Sequence, residues 1–282
     1  MTPRLLVVSL LVVIASFGGP QTAAGDKSDD TGPFARGFGY VGAFWVTRTS
    51  TEARLFSTDL PLGARLNVED DLGVRDSFAV PRMSLGWRFG KRHVLTGGYY
   101  DLSRDGVKRL ETTIELPGDI TFDAGIEVRS DFTLKVSKLQ YTYLFHRDEK
   151  VTLGIGAGAF VARLGTGIAG TVIVGQMQET VQVFRESVTA PLPVLGFRLT
   201  YRLTPKWGVL ATSDWFLLSY NSRYEGILSD TQLYFAHRTF NHVGFAGGIN
   251  LQTLNVEFDD GDLLWQLDSG LMGVLGAVTF YF

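Results

Sequence analysis

Four histidines, two acidic runs and a scattered set of arginines and aspartates are the residues of this 282-residue chain that could do chemistry. His93, His146, His237 and His242 could each take a proton from water if a carboxylate oriented the ring. Glu69-Asp70-Asp71 and Asp259-Asp260-Gly261-Asp262 could offer oxygens to a divalent ion. Neither run matches a twelve-residue calcium loop, which wants oxygens at alternate positions and a closing glutamate. A solvated loop is the plainer reading of both. The largest set is Arg82, Arg88, Asp101, Lys138, Arg198, Arg202, Asp214, Asp230 and Arg238, with Gln140, Asn250 and Gln252. Opposite charges in a confined space should pair, because unpaired buried charges are costly. The same groups could instead line a narrow path for ions.

Several chemistries drop out early. The chain has no cysteine, so it has no disulfide framework, zinc–thiolate site or cysteine nucleophile. Four scattered histidines make a poor metal site, and no metal or cofactor is expected. Gly154, Gly156 and Gly158 alternate inside an extended run and open no helix, which rejects a nucleotide loop. Their expected role is to leave room for bulky neighbours. A net charge of −3 gives no electrostatic case for nucleic acid as a partner.

The elements that must position these residues are strands. Bulky residues fall on alternate positions in Met83-Ser84-Leu85-Gly86-Trp87-Arg88-Phe89 and in Leu195-Gly196-Phe197-Arg198-Leu199-Thr200-Tyr201. The other face carries Gly, Arg, Thr and Gln. A chain 45% hydrophobic and 12% aromatic, with 33 glycines, suits strands with one greasy face. Greasy outside and polar inside is the pattern of a transmembrane barrel. Backbone groups in lipid require that barrel to close.

Four short polar turns flanked by aromatics fall near residues 89–93, 145–150, 203–207 and 238–242. Longer, less apolar stretches separate them at 57–76, 107–130, 165–187, 221–226 and 257–262. The count gives ten strands, at 36–49, 77–90, 93–106, 129–145, 151–164, 187–203, 207–220, 226–240, 242–257 and 263–282. Eight or twelve are the alternatives, because 170–184 could form a further hairpin. Phe132, Leu134 and Val136 are even-numbered but Leu139, Tyr141 and Tyr143 are odd, so a β-bulge is expected near Ser137. An all-β, antiparallel, up-and-down transmembrane barrel is the expected fold. An exported β-sandwich or a lipocalin-like barrel is the soluble alternative; the arginines on the minor face count against it.

Both ends agree with export to a membrane. Residues 1–25 read as a cleaved signal peptide: one basic residue, about 13 apolar residues from Leu5, then a small, weakly polar stretch. A short periplasmic segment, 26–35, precedes the barrel at 36–282. The final strand presents Val274, Gly276, Val278, Phe280 and Phe282 on one face, with Thr279 and Tyr281 inward.

These features resemble the small outer-membrane β-barrel proteins of Gram-negative bacteria. Within them the chain is similar to an uncharacterised group whose first outer loop carries an acidic element, here Glu69-Asp70-Asp71-Leu72-Gly73. Arg92-His93-Val94-Leu95 and Ala190-Pro191-Leu192-Pro193-Val194-Leu195-Gly196 resemble that group's third and sixth strands. The resemblance implies a bacterial outer-membrane location, with membrane lipid and lipopolysaccharide as surroundings. It also implies that Gly276, Val278, Phe280 and Phe282 serve as the signal read by the barrel-assembly machinery, with periplasmic chaperones as earlier partners. It implies no catalytic residues.

Three functions stay open. The first is a non-enzymatic barrel, either structural with a salt-bridged lumen or a narrow passive channel for small solutes. The second is a hydrolase of lipid or peptide at the outer rim, which needs a histidine there; all four lie in or near predicted periplasmic turns. The third is an adhesin or binding protein acting through its outer loops.

Overall fold

The computed structural model describes residues 35–57, 64–67, 69–70, 73–111, 114–116, 120–122, 125–174, 177–220, 224–259 and 263–282. The expected signal peptide and all of the 26–35 segment except Ala35 lie outside the described residues, as do Asp71, Leu72 and 260–262.

Alternating side chains produce strands almost throughout. They are β1 (Gly37–Ser57), β2 (Ala64–Asn67), β3 (Phe78–Phe89), β4 (His93–Arg109), β5 (Ile114–Leu116), β6 (Ile120–Phe122), β7 (Glu127–Arg147), β8 (Val151–Val174), β9 (Met177–Arg202), β10 (Trp207–Tyr220), β11 (Tyr224–His237), β12 (Val243–Asp259) and β13 (Leu263–Tyr281). The ten long strands pair antiparallel in sequence, and β13 pairs with β1 from Phe38↔Tyr281 to Ser57↔Leu263. The result is a closed ten-stranded barrel. Closure leaves no free sheet edge, as backbone in lipid requires.

The small strands are additions at one end. β2 folds back onto β1, and β5 and β6 form their own hairpin between β4 and β7. Residues 170–184 are not an extra barrel hairpin; they prolong β8 and β9, which stay paired up to Val174↔Met177. The short turns and both ends of the barrel sheet share the opposite end, where Gly37 and Phe282 exchange two backbone hydrogen bonds of 2.7 and 2.9 Å.

The outside carries an apolar band. Val41, Trp45, Leu85, Leu139, Leu195 and Val274 are each at least half exposed. In β13 the band runs from Met272 to Phe282. At ~3.4 Å per residue and a tilt of ~40°, that run is about 25 Å tall, the height of an outer-membrane hydrocarbon core. Aromatic residues crowd its lower edge: Phe89, His93, Tyr141 and Tyr143 stack with centroids 5.6–6.4 Å apart.

Above the band the two faces exchange character. On β7 the outward residues change from Tyr143, Tyr141 and Leu139 to Ser137, Lys135 and Asp131. The inward ones change from Thr142 and Gln140 to Val136 and Leu134. Between Tyr143 and Asp131, β7 is thus greasy outside and polar inside in its lower part, and the reverse in its upper part.

That exchange corrects two expectations. No bulge occurs near Ser137: β7 pairs with β4 without interruption from Tyr143 to Glu127. The even residues Phe132, Leu134 and Val136 face inward like Gln140, because they pack in an apolar layer inside the barrel. The register shifts instead lie at Val46/Arg48, Leu144/His146 and Ile168/Ala169. Asp101, expected in the lumen, faces outward. Its neighbours Tyr100 and Leu102 are buried, and it pairs with Lys135 at 3.1 Å on the outer surface.

Candidate functional site

The interior of the barrel holds almost every other charge singled out from the sequence, and it arranges them in layers. In the middle of the barrel, β10 and β11 place Asp214 and Asp230 opposite each other, both buried. Asp214 takes Lys138 from β7 as its cation and accepts a 2.8 Å hydrogen bond from Gln140 Nε2. Asp230 takes Arg82 from β3 at 3.0 Å. It also accepts hydrogen bonds from Asn250 Nδ2 at 2.7 Å and Gln232 Nε2 at 3.3 Å. Arg82 lies over the Tyr100 ring, 4.5 Å from its centroid, and Gln252 donates to the Tyr100 hydroxyl at 3.0 Å.

Small residues make this layer fit. A Cβ on Gly196 would come within 2.1 Å of Gln140 Nε2 and 2.4 Å of Asp214 Oδ1. A Cβ on Gly156 would come within 2.8 Å of Thr142 Oγ1. The glycines of β8 and β9 thus leave the room expected of them. What space remains is a cavity of about 30 Å³ beside Tyr40, Lys138, Asp214 and Tyr234, large enough for two or three waters.

An apolar layer lies above. Phe44, Val80, Leu102, Leu134, Phe160, Val194, Phe216, Leu228 and Leu271 pack into one buried cluster, with Leu254 of β12 against it. Each of the ten long strands therefore contributes an apolar side chain to a single plug across the lumen. The sequence reading missed it: Leu134 enters that reading only through the expected bulge near Ser137, and the other residues of the cluster are assigned to no face in it. The alternation itself could have shown it: the bulky positions swap face while the strands continue.

Above the plug sits Glu69, from the acidic element of the first outer connection. It is not a solvated loop residue. Its carboxylate meets Arg104 Nη1 at 2.7 Å, the Thr51 amide at 2.8 Å and the Thr49 hydroxyl at 3.0 Å. Arg104 also donates to Thr51 Oγ1 at 3.1 Å and lies between the rings of Phe78 and Phe132. Burial alone would raise the Glu69 carboxyl, but the bonds from Thr51 and Arg104 outweigh it and hold it below the ordinary carboxylate range. The register shift at Val46/Arg48 turns Thr49 and Thr51 inward to reach it. Asn67 Oδ1 accepts from the amides of Glu69 and Asp70, and Lys108 bonds the Asp70 carbonyl. Gly73, at φ +63°, then turns the chain back along β4, where Val74 bridges Gly106.

Below the polar layer, Arg88, Arg198, Arg202 and Arg238 gather at the end bearing the short turns. Arg198 lies 4.7 Å over the Phe38 ring. All four histidines of the chain are at this end too. His93 shares its aromatic cluster, His146 bonds Asp148 at 3.0 Å, His237 bonds Thr239 and His242 bonds the Tyr281 carbonyl. None reaches the outer rim. Among the described residues, no three His, Asp or Glu side chains converge as metal ligands.

No protein-family model and no curated protein sequence matches the chain. Solved structures do. The outer membrane protease OmpT from Escherichia coli is similar at a TM-score of 0.50 and 10% identity, over 87% of this chain and 96% of that one. The translocator domain of the autotransporter NalP from Neisseria meningitidis matches at 0.40 and 12%, over 87% of each chain. OprG from Pseudomonas aeruginosa matches at 0.37 and 8%, over 87% of this chain and 96% of that one. At these identities the likeness to OmpT concerns the fold alone.

Proposed function

We propose that this chain is a non-enzymatic, integral barrel of the bacterial outer membrane whose lumen is closed. Of the two non-enzymatic readings, the structural one is favoured over the narrow channel. One observation carries this: all ten long strands contribute to an apolar plug directly above a salt-bridged polar layer. A path for ions would have to cross both, and a packed apolar constriction excludes hydrated ions. The outer-membrane location is supported by the ~25 Å apolar band, its aromatic lower edge, and a fold shared with an outer membrane protease. On this reading the surroundings are membrane lipid and lipopolysaccharide. Periplasmic chaperones and the barrel-assembly machinery are partners in biogenesis, the latter reading Gly276, Val278, Phe280 and Phe282.

The hydrolase reading loses support, because the chain's four histidines all lie at the wrong end for a rim site. The surface-binding reading keeps one specific observation. β8 and β9, of 24 and 26 residues, stay paired far above the apolar band and offer an extension where a partner could dock. Conductance of the purified chain across a planar bilayer tests the closed-lumen reading. Silence is expected, and a steady ionic current would refute it.

A further inference from the structure

We propose that the cavity in the polar layer is a binding site for one monovalent, monatomic anion of the halide class. The charges of the layer do not balance. Arg82 takes Asp230 and Lys138 takes Asp214. Arg198 reaches the same cavity as Lys138 and Asp214. Its guanidinium rests on the Phe38 ring, and no carboxylate among the described residues bonds it. Three cations, Arg82, Lys138 and Arg198, thus face two carboxylates, Asp214 and Asp230. One positive charge is left over, and an uncompensated charge away from water is costly.

A second observation is independent of charge. The hydroxyls of Thr96, Thr142, Thr212 and Tyr234 line the cavity beside Lys138 and Arg198. Thr96, Thr142 and Tyr234 are only 4%, 3% and 7% exposed. None of the four hydroxyls has a hydrogen-bond partner among the described residues, although polar groups buried this deeply are normally partnered. They come from β4, β7, β10 and β11, and the two cations from β7 and β9. Ammonium and guanidinium groups donate and never accept, so the space they surround calls for an acceptor. A monatomic anion accepts from every side, whereas a carboxylate or phosphate fixes the directions of its donors. Asp214 also lines the cavity, but its two oxygens are taken by Lys138 and Gln140. It neutralises Lys138 and leaves Arg198 to the anion. The cavity measures about 30 Å³, against about 10–15 Å³ for one water. It admits a halide ion and is too small for a tetrahedral oxyanion. The site lies below the plug, and the inference stands whether or not the lumen conducts.

The test uses the full chain, folded in an uncharged detergent, with bromide as the probe. Crystals grown in bromide should show one anomalous-scattering peak per chain in this cavity. In solution, thermal unfolding is followed as bromide replaces gluconate, which is too bulky for the cavity, at constant ionic strength. The melting temperature should rise and saturate. Arg198→Gln should raise the half-saturating bromide concentration by about tenfold or more, and Thr142→Val by severalfold, the range of hydrogen bonds to a charged group. Lys135→Met, on the outer surface, should leave it unchanged. Thr142→Val keeps the side-chain shape and so reads the site even if the arginine variant folds poorly. A cavity holding water only in the bromide crystals, melting indifferent to bromide, unchanged half-saturation in Thr142→Val, or an equal loss in Lys135→Met would each overturn the proposal.

Discussion

Asp214 and Asp230 stand side chain to side chain on neighbouring strands, each only 4% exposed. Two like charges directly opposite on a sheet repel, and burial sharpens the effect. The barrel resolves this with separate cations from the far side of the lumen. Lys138 serves one and Arg82 the other. The four residues bind β3, β7, β10 and β11 across the interior, so the pair of aspartates fixes the cross-section of the barrel.

Removing one cation should therefore be severe. Arg82→Met leaves Asp230 buried beside Asp214 without its partner and should cost roughly 3–5 kcal/mol. Urea unfolding in lipid vesicles measures it. Adding Asp230→Asn to Arg82→Met should restore much of the loss, since the orphan charge is gone. A double variant as unstable as the single one would mean that Arg82 acts by filling space over Tyr100 and not by neutralising Asp230.

Gly196 should tolerate nothing larger. Its Cβ would strike the Gln140 amide and the Asp214 carboxylate, so Gly196→Ala should destabilise by about 1–3 kcal/mol. Gly97, where a Cβ would meet its first neighbour only at 3.9 Å, should accept alanine with little change. The two midpoints in urea give the comparison directly.

The Glu69 clasp should be acid-sensitive. Its folded carboxyl titrates below the ordinary value, which is about 4.3 when unfolded. The clasp's contribution is therefore fully present above that value and is lost as pH falls through the lower, folded one. The protection factor of the Thr51 amide, which donates to Glu69 at 2.8 Å, should fall over that acid window. In Glu69→Gln it should be low already at neutral pH and change little on acidification. A wild-type protection factor that stays flat through the window would remove Glu69 from this role.

Phe282 completes the closing seam, exchanging backbone hydrogen bonds with Gly37 and lying 6.1 Å from the Trp87 ring. Deleting it should reduce the amount of barrel in the outer membrane severalfold, while the surviving molecules keep wild-type urea stability to within about 1 kcal/mol, as befits an exposed terminal residue. Wild-type abundance of the truncated chain would contradict a role for the last strand as an assembly signal.

The strands and the closure were legible in the sequence because the period of two is strict and the turns are short. The terminal aromatic run paired where expected, with Thr279 and Tyr281 buried and Phe280 and Phe282 outward. Of the charges expected in the lumen, Arg82, Lys138, Asp214 and Asp230 met in one layer, while Asp101 pointed out. The error has one physical cause. Period alone shows which residues share a face, but not which face is the apolar one. Assigning every bulky face to lipid works on β3, where Leu85 and Trp87 are outside. It fails where the strands leave the hydrocarbon and Tyr100, Leu102, Leu134 and Val136 turn out to be the core. Glu69 was hidden for another reason: nothing in an acidic run announces an arginine 35 residues away.

The plug is the centre of this account, and conductance reads it most directly. The purified chain, inserted in a planar bilayer, should pass no steady ionic current at any voltage the membrane withstands. The variant Phe44→Ala/Phe216→Ala, which takes two rings from the apolar layer, should raise the frequency of brief openings above that baseline. Stable, ion-selective unit currents from the wild-type chain would contradict a closed lumen and make the barrel a channel.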